Sequence, residues 1–410
     1  MRHAPDLSVR VFEGGREYRA QGAGVLLNIN GWRALEALKP SLRERLWQDS
    51  IRLQGSRQFT EAGERLESPF GGGGGWGHEA NLERYGCTLQ LAAWSAIRDV
   101  LYEELPEGVV QFGSKVEAMD VREDGVAELQ LADDAAGGEC RVTAGAVIGA
   151  DGFFSRIRER VLADGPPDFT GRVTWRGRVA LARGDGGAGD WLHDNIPNGD
   201  STCLWINPAT VGKDRNAVVY PIGDGVFVFT ANCPVWRLEE AGHSFEPFSA
   251  ERRASVMTLQ DDAQGPKGGT VLERCLAGMA GYPPELLDII RATPEGAITE
   301  HGYYIRPVDK MPVERWGQGA VTLLGDAAHL APPDGQGLNL ALEDAAVLGL
   351  HLRAHGGAVT AEALRAYEKA RIPRVKNILS YMEFQPERQA LVVEDCLGEV
   401  SPQRQDVSAA

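Results

Sequence analysis

Outside residues 165–300, apolar positions along the chain are spaced as in short strands and amphipathic helices. Residues 7–12, LSVRVF, alternate apolar and polar side chains, which is typical of a half-buried strand. Apolar runs of strand length recur at residues 23–27, 109–112, 126–131, 146–150 and 320–324. Helical spacing predicts helices over residues 30–38, 89–105, 338–352 and 363–382. Strands alternating with helices indicate a parallel α/β sheet.

The pattern changes between residues 165 and 300. Strand-like segments there follow one another without helices between them, and the turn at residues 223–225, GDG, joins two of them as a hairpin. We therefore predict a Rossmann-like α/β domain that is interrupted by a mostly antiparallel β-sheet substrate domain. The predicted parts are residues 1–164, 165–300 and 301–385, which ends in C-terminal helices, followed by a polar tail at 386–410.

Composition and charge narrow the class of protein. The 410 residues are 43% hydrophobic and 24% charged, as in an ordinary globular protein, and the formal charge of −16 argues against binding nucleic acid or an anionic membrane. No apolar run is long enough for stable insertion into a bilayer. The six cysteines are scattered without a C-x-x-C pair, which favours a reducing compartment and a cytoplasmic location.

Three acidic residues follow predicted strands. Glu13 ends the first alternating run, Asp151 follows the strand VIGA, and Asp326 follows the strand VTLL and Gly325. The carboxyl ends of strands are where open α/β sheets bind their ligands, and an acid there accepts hydrogen bonds from a ribose. Asp151 also begins the pattern D-G-x-x-S-x-x-R, in which Arg158 could be oriented toward a phosphate.

Glycines open the helix that follows Asp326. Gly335, Gly337 and Asn339 lie at its predicted start. Glycines allow a planar ring to approach the backbone, and the free N–H groups at a helix N-terminus stabilise negative charge. A reduced flavin carries such a charge at its N1/C2 carbonyl edge.

Three segments together resemble one family. They are VRVFE, GADGFFSRIR and GDAAHLAPPDGQGLNLALEDA. The chain resembles the class A FAD-dependent monooxygenases of the p-hydroxybenzoate hydroxylase fold, which include aromatic hydroxylases and zeaxanthin epoxidase. The resemblance extends from Leu7 to about Met382.

The resemblance implies a reaction and a set of binding residues. FAD, reduced by NAD(P)H, would form a C4a-hydroperoxide with O2 and transfer one oxygen atom to a small aromatic or isoprenoid-like substrate. Glu13 would bind the adenosine ribose, Asp326 the ribityl chain, and Asp151-Gly152 would belong to a motif for FAD and NAD(P)H. Against the isoalloxazine ring would lie Pro333, Gly335, Gln336, Gly337, Leu338 and Asn339, with Pro333 as the catalytic contact.

The sequence departs from the family pattern at three places. Trp94 stands where many relatives have an arginine that reaches the cofactor, and five residues rather than the usual six separate His329 from Gly335. The glycine-rich phosphate loop before Glu13 is missing. We expect such a loop about 20 residues upstream in a longer natural chain. A chain that begins at Met1 should show a gap in its sheet beside Val9 and Val11.

Other candidate residues have structural explanations. Two G-x-G-x-x-G strings, at residues 72–77 and 184–189, lack the strand–turn–helix context of a phosphate loop. His329 fits a structural hydrogen-bonding role better than that of a catalytic base. Arg176 could anchor an anionic or polar substrate, and the tryptophans at 175, 191, 205 and 236 fit core packing or an aromatic pocket equally well.

Rival functions stay open at this point. The string W-x-W-x-I-P of flavin halogenases does not occur in the sequence, and neither does the second glycine-rich loop of Baeyer–Villiger enzymes. The alternatives are another flavin oxidoreductase of the same fold, or a truncated FAD-binding protein with impaired catalysis. The oligomeric state is not predicted.

Overall fold

The structure is a computed structural model that describes residues 7–18, 24–66, 78–133, 138–184, 186–207, 214–247, 269–330 and 335–384. Pro333, the glycine-rich string at 72–77 and the polar tail predicted at 386–410 lie outside the described residues.

The first part of the chain forms short strands and helices. Its strands are β1 (Val11–Phe12), β2 (Gly24–Leu27), β3 (Ile51–Arg52), β4 (Gly55–Phe59), β5 (Arg65–Leu66), β6 (Gln90–Ala93), β7 (Val110–Gln111), β8 (Ser114–Val121), β9 (Ala127–Asp133), β10 (Gly138–Ala144) and β11 (Val147–Gly149). Its helices are α1 (Ile29–Leu38), α2 (Pro40–Asp49), α3 (His78–Tyr85), α4 (Trp94–Glu103) and α5 (Arg156–Leu162).

The second part contains the longest strands and helices. Its strands are β12 (Asp168–Ala180), β13 (Ser201–Ile206), β14 (Asn216–Gly223), β15 (Val226–Pro234), β16 (Ile298–Ile305) and β17 (Val321–Leu323). Its helices are α6 (Ala188–Asn195), α7 (Val235–Glu240), α8 (Val271–Gly278), α9 (Pro284–Ala292), α10 (Gly337–Ala354) and α11 (Ala361–Phe384).

The inserted domain is built on a seven-stranded sheet in the order β16-β12-β15-β14-β13-β4-β5. All its neighbouring strands are antiparallel except β13 and β4. The predicted hairpin is present, with Asp224 in the left-handed region at φ 53° between two glycines. Two strands come from outside residues 165–300, because β4 and β5 belong to the first part, and residue 300 falls inside β16.

One face of this sheet forms the core of the inserted domain. Trp175 and Trp205 are fully buried there, packed with apolar residues of α6, α8 and α9. Trp236 is different, because 49% of its surface is exposed. Core packing is therefore the role of the first two tryptophans.

The parallel strands of the other domain form two separate pairs. β1 pairs with β7, and β11 pairs with β17. Within the described residues β1 is bonded on one side only, and Val11 remains 39% exposed.

The helix predicted over residues 89–105 is wrong in its first part. Residues Gln90–Ala93 form β6, which lies between β2 and β3, and α4 begins only at Trp94. The apolar residues Leu91 and Ala92 have the spacing of a helix but are buried in a sheet. Tertiary pairing has overridden the local pattern.

Helices α10 and α11 pack against the parallel strands and against each other. Pro373 lies inside α11 without ending it. Charged residues are buried along both helices, among them Glu343, Asp344 and Arg371. Among the described residues, no helix combines the length and the apolar character needed to cross a membrane.

Candidate active site

Glu13 lies at the carboxyl end of β1, as its position after a strand predicts. Its backbone N–H donates to the Gln111 carbonyl at 2.9 Å, which continues the pairing with β7. Its carboxylate accepts the Gly15 N–H at 2.7 Å. The turn that follows is thus held against the side chain, and the acid is fixed at the edge of the sheet.

Asp151 caps α5. Its Oδ2 accepts the backbone N–H groups of Arg156 at 2.7 Å and Ile157 at 3.2 Å, and its Oδ1 accepts the Ser155 hydroxyl at 2.5 Å. Gly152 has a φ of 77°, which allows the chain to turn from β11 into the helix. The D-G-x-x-S pattern therefore builds the turn that ends β11.

Arg158 does not face a phosphate site, contrary to the sequence interpretation. It is 1% exposed, and its guanidinium donates to both carboxylate oxygens of Asp164. The same group donates to the carbonyls of Ala327 at 2.9 Å and Ala328 at 2.6 Å. Arg158 therefore fixes the segment that carries Asp326.

Asp326 is a carboxylate without a protein partner. It is partly buried, and among the described residues no donor bonds to it. Burial raises the pKa of the Asp326 carboxyl above its ordinary value, and nearby Asp344 adds to this effect. A partly buried carboxylate is stabilised by a hydrogen-bond donor, and a ligand hydroxyl at this position would supply one.

The first turn of α10 presents uncapped backbone donors. Gln336 precedes the helix and makes no side-chain capping bond, so the first N–H groups have no partner inside the helix. No acidic side chain lies in this turn. A Cβ placed on Gly337 would meet Asp326 Oδ1 at 3.9 Å and no closer atom. Among the described residues, no atom approaches Gly337 more closely from the side of the carboxylate.

Asn339 connects this turn to β2 and to the start of α1 through hydrogen bonds. Its Nδ2 donates to the carbonyls of Leu26 at 2.9 Å and Gly335 at 2.6 Å, and its Oδ1 accepts the Asn28 N–H at 2.9 Å. The side chain is fully buried and all its polar atoms are used. Asn339 therefore shapes the loop at Gly335, whose φ is 84°.

A buried charge network lies behind the same turn. Arg371 donates to Glu343 Oε2 at 2.6 Å and to Asp344 Oδ1 at 2.8 Å, and all three side chains are 0% exposed. Arg374 forms two further bonds with Glu343, each 2.8 Å. Asp344 also accepts the Gly325 N–H at 2.9 Å, so the network reaches the residue before Asp326.

His329 is part of this network. Its Nε2 lies 2.6 Å from Asp344 Oδ2, and its ring is fully buried 5.5 Å from the ring of Trp316. The structure thus favours the structural hydrogen-bonding role over that of a catalytic base.

The second face of the seven-stranded sheet is polar around β12 and apolar at Val218, Tyr220 and Val228, which pack against residues of β2, β3 and β6. Cross-strand neighbours place Thr174, Arg176, Asn232 and His301 on this face. Thr174 donates to Asn232 at 2.6 Å, and Asn232 donates to Asn216 at 2.8 Å. Side chains of this kind can orient a polar substrate.

The polar face is bounded by contacts with the other domain. At one end the Tyr220 hydroxyl donates to the Gly24 carbonyl at 3.2 Å. At the other end the Arg306 N–H donates to the Leu330 carbonyl at 3.5 Å, where the segment toward Gly335 begins. Leu26 packs in one cluster with Tyr220 and accepts a hydrogen bond from Asn339, so β2 connects this end of the sheet to the start of α10.

Arg176 and His301 give this face its charge character. Arg176 is partly buried, and no carboxylate of a described residue pairs with it. Burial, together with the charge of Arg176, lowers the pKa of His301 to about 3. At neutral pH the face therefore carries an unpaired guanidinium beside a neutral imidazole.

Sequence reasoning missed Asn28, Asn30 and Gly31. Asn30 and Gly31 are predicted only as the start of a helix and Asn28 precedes it, whereas all three contact residues between Gly335 and Asn339. A signal existed, since two asparagines and a glycine in one helical turn are poor helix formers. Arg371 was missed as well, because its partners are distant in sequence.

The residues present fit an FAD group. An unpaired carboxylate at the end of β17 and uncapped donors at the start of α10 are suited to a sugar-like chain and an anionic ring edge. Glu13 lies at the end of a second parallel strand, where a ribose binds in such folds.

Comparison with known proteins supports this assignment. The family model described as an FAD binding domain matches residues 292–381. The 3-amino-4-hydroxybenzoate 2-monooxygenase PtmB3 of Streptomyces platensis is 28% identical over 387 residues, covering 90% of this chain and 79% of that protein. The 6-hydroxynicotinate 3-monooxygenase of Bordetella bronchiseptica is 26% identical over 381 residues, covering 90% and 83%.

Solved structures show the same fold. HpxO of Klebsiella pneumoniae, complexed with FAD and uric acid, matches with a TM-score of 0.63 at 21% identity, covering 94% of this chain and 81% of that one. The 2,6-dihydroxypyridine-3-hydroxylase of Arthrobacter nicotinovorans gives a TM-score of 0.66 at 18% identity, covering 93% and 86%.

Fold, site and relatives define an FAD-binding oxidoreductase. Within that class, its relatives are FAD-dependent aromatic monooxygenases, and its fold is that of the p-hydroxybenzoate hydroxylase type.

Proposed function

We propose that the protein uses NAD(P)H and O2 to hydroxylate a small aromatic substrate that carries an acidic group. The observation that carries this proposal is the unpaired guanidinium of Arg176 on the polar sheet face. A partly buried cation without a carboxylate partner is unfavourable unless a ligand neutralises it. A carboxylate or phenolate meets that need, because arginine binds such groups through two parallel hydrogen bonds.

The relatives support an aromatic acid. Their names include 3-amino-4-hydroxybenzoate, 6-hydroxynicotinate and 3-hydroxybenzoate as substrates. An isoprenoid-like substrate, which the sequence left open, is disfavoured by the polar side chains of Thr174, Asn232 and Arg176 on the face that would receive it.

The binding roles of individual residues are part of the proposal. Glu13 binds the adenosine ribose, and Asp326 accepts hydrogen bonds from the ribityl chain. The flavin ring would be held by Gly335, Gln336, Gly337, Leu338 and Asn339, with Pro333 against it. Support comes from the uncapped N–H groups of α10 and from the amide of Asn339, which holds the Gly335 carbonyl. Asp151 and Gly152 serve by building the turn after β11.

Bound FAD would supply the oxygen chemistry. NAD(P)H would provide two electrons, one oxygen atom of O2 would go to the substrate, and the other would leave as water. The chain's own residues bind and orient. Arg176 holds the acidic group of the substrate, and neutral His301 beside it accepts or donates a hydrogen bond without adding charge. Packing between Tyr220 and Gly24 closes one side of the site against water.

The test begins with FAD binding to the purified protein, followed by NAD(P)H oxidation in the presence of hydroxybenzoates and of their neutral methyl esters. The acid should stimulate oxidation and gain one atom from 18O2, whereas the ester should not. Arg176→Leu should raise KM for the acid at least tenfold, because it removes a charge-assisted bond worth about 1.5–3 kcal/mol. Exposed Arg183 provides the control variant Arg183→Leu.

Two outcomes would contradict the proposal. A protein that ignores added FAD would instead be the impaired binding protein that the sequence left open. Equal stimulation by acid and ester, or an unchanged KM in Arg176→Leu, would remove Arg176 from substrate binding.

A further inference from the structure

Polar side chains at the start of α1 hydrogen-bond to the residues that directly precede α10. Asn28 donates its Nδ2 to the Gly335 carbonyl at 3.2 Å, and Asn30 donates its Nδ2 to Gln336 Oε1, also at 3.2 Å. Neither bond is needed to form α1, since Asn28, the N-cap residue, makes no capping bond with its side chain and Asn30 lies inside the helix. The polar side chains therefore act on the loop rather than on their own helix.

Asn30 differs from its neighbours because it also contacts a fixed charge. The same Nδ2 donates to Glu343 Oε1 at 2.8 Å, and Asn30 is only 2% exposed. Glu343 is itself held by Arg371 and Arg374. Asn30 thus connects Gln336, the residue just before α10, to the Glu343 carboxylate, which two arginines hold in place.

We propose that Asn30 is a positioning residue that sets how strongly the site prefers reduced over oxidised FAD. This inference rests on the proposed function, in which the start of α10 lies against the flavin. The N–H groups of that first turn stabilise negative charge, and the charge at the N1/C2 edge is present only in the reduced ring. Their direction depends on Gln336, and the position of Gln336 depends on Asn30.

Loss of the amide should therefore affect the two forms of FAD unequally. In Asn30→Ala, Gln336 loses its donor, while Glu343 keeps both arginines and stays neutralised. Reduced FAD should bind about tenfold more weakly relative to oxidised FAD. Tenfold corresponds to a reduction potential lower by about 30 mV for a two-electron couple.

The experiment measures the Kd of oxidised FAD by fluorescence and the potential of the bound flavin by equilibration with a reference dye. Asn195→Ala is the matched control, because it removes one asparagine bond in α6 of the inserted domain. A lower potential in Asn30→Ala but not in Asn195→Ala supports the proposal. Equal weakening of both forms shows a merely structural role and overturns it, as does no change.

A second variant covers the case in which Asn30→Ala does not fold. Gln336→Ala removes the same hydrogen bond from its other end and should lower the potential to the same extent. If both variants fold, the double variant should lower the potential no further than Asn30→Ala alone, since the bond between Asn30 and Gln336 is already absent from that variant. An unchanged potential in Gln336→Ala also overturns the proposal. Failure of the wild-type chain to bind FAD would instead refute the proposed function.

Discussion

Asn339 fills the space beside Gly31. A Cβ on Gly31 would lie 2.0 Å from Asn339 Oδ1, which is far inside van der Waals contact. The same oxygen accepts the Asn28 N–H, so it cannot move away without losing that bond. Helices α1 and α10 therefore approach each other at a point that only glycine permits.

Gly31→Ala should destabilise the protein and weaken FAD binding. The added methyl group forces Asn339 out of its position, at a cost of about 1–3 kcal/mol that exceeds the roughly 1 kcal/mol gain in helix propensity. Chemical denaturation measures the first effect and FAD titration the second. Gly145→Ala is the control, because a Cβ there meets nothing within 4 Å. Identical behaviour of the two variants would contradict the close contact.

Arg371→Met should lower the free energy of unfolding by about 3–5 kcal/mol, because it leaves two buried carboxylates with fewer partners. Burial raises the pKa of Glu343 and Asp344, but the opposing charges and hydrogen bonds outweigh it and the pKa of each is lowered. Arg291→Met removes an exposed pair with Asp288 and should cost about 0–1 kcal/mol. Similar losses in the two variants would show that the network does not stabilise the fold.

Asp326→Asn should stabilise the apoprotein at neutral pH while it weakens FAD binding. The folded-state pKa of Asp326 is raised, so the ionised carboxyl costs stability above its ordinary pKa, and the amide removes that cost. The difference in unfolding free energy between the variant and the wild type should disappear as the pH falls below 3.8. Asp120→Asn, at a side chain that is 79% exposed, should show no such difference.

His301→Gln should make stability less dependent on pH. The pKa of His301 is about 3 in the folded state and 6.5 for the ordinary group, so between these values only the unfolded chain binds the proton. Wild-type stability should therefore fall by about 1.4 kcal/mol for each pH unit below 6.5 through this group. Urea unfolding at pH 8, 6 and 5 measures the effect. Parallel curves for the two proteins would refute it.

The sequence alone predicts the structure correctly where the residues that determine it are close together in the chain. An apolar run followed by Gly325 and Asp326 predicts a buried strand with an acid at its end, and the structure confirms β17. The hairpin at Asp224 is confirmed for the same reason, since its turn chemistry is contained in three residues.

Contacts between distant segments could not be predicted in the same way. Gln90–Ala93 form a strand only because β2 and β3 are there to pair with them. Asn30 and Glu343 are 313 positions apart, and nothing in the local pattern of either one identifies the other. Arg158 has the spacing of a phosphate-binding residue, yet its guanidinium donates hydrogen bonds to Asp164 and to two backbone carbonyls instead.

The bond between Asn30 and Glu343 also has a consequence for biosynthesis. During translation, α1 leaves the ribosome long before α10 and α11 exist, and the inserted sheet is made in between. The contacts of Asn28, Asn30 and Gly31 with α10 therefore cannot form until that helix has been synthesised. Contacts between such distant segments form slowly, and apolar surface stays exposed until they do.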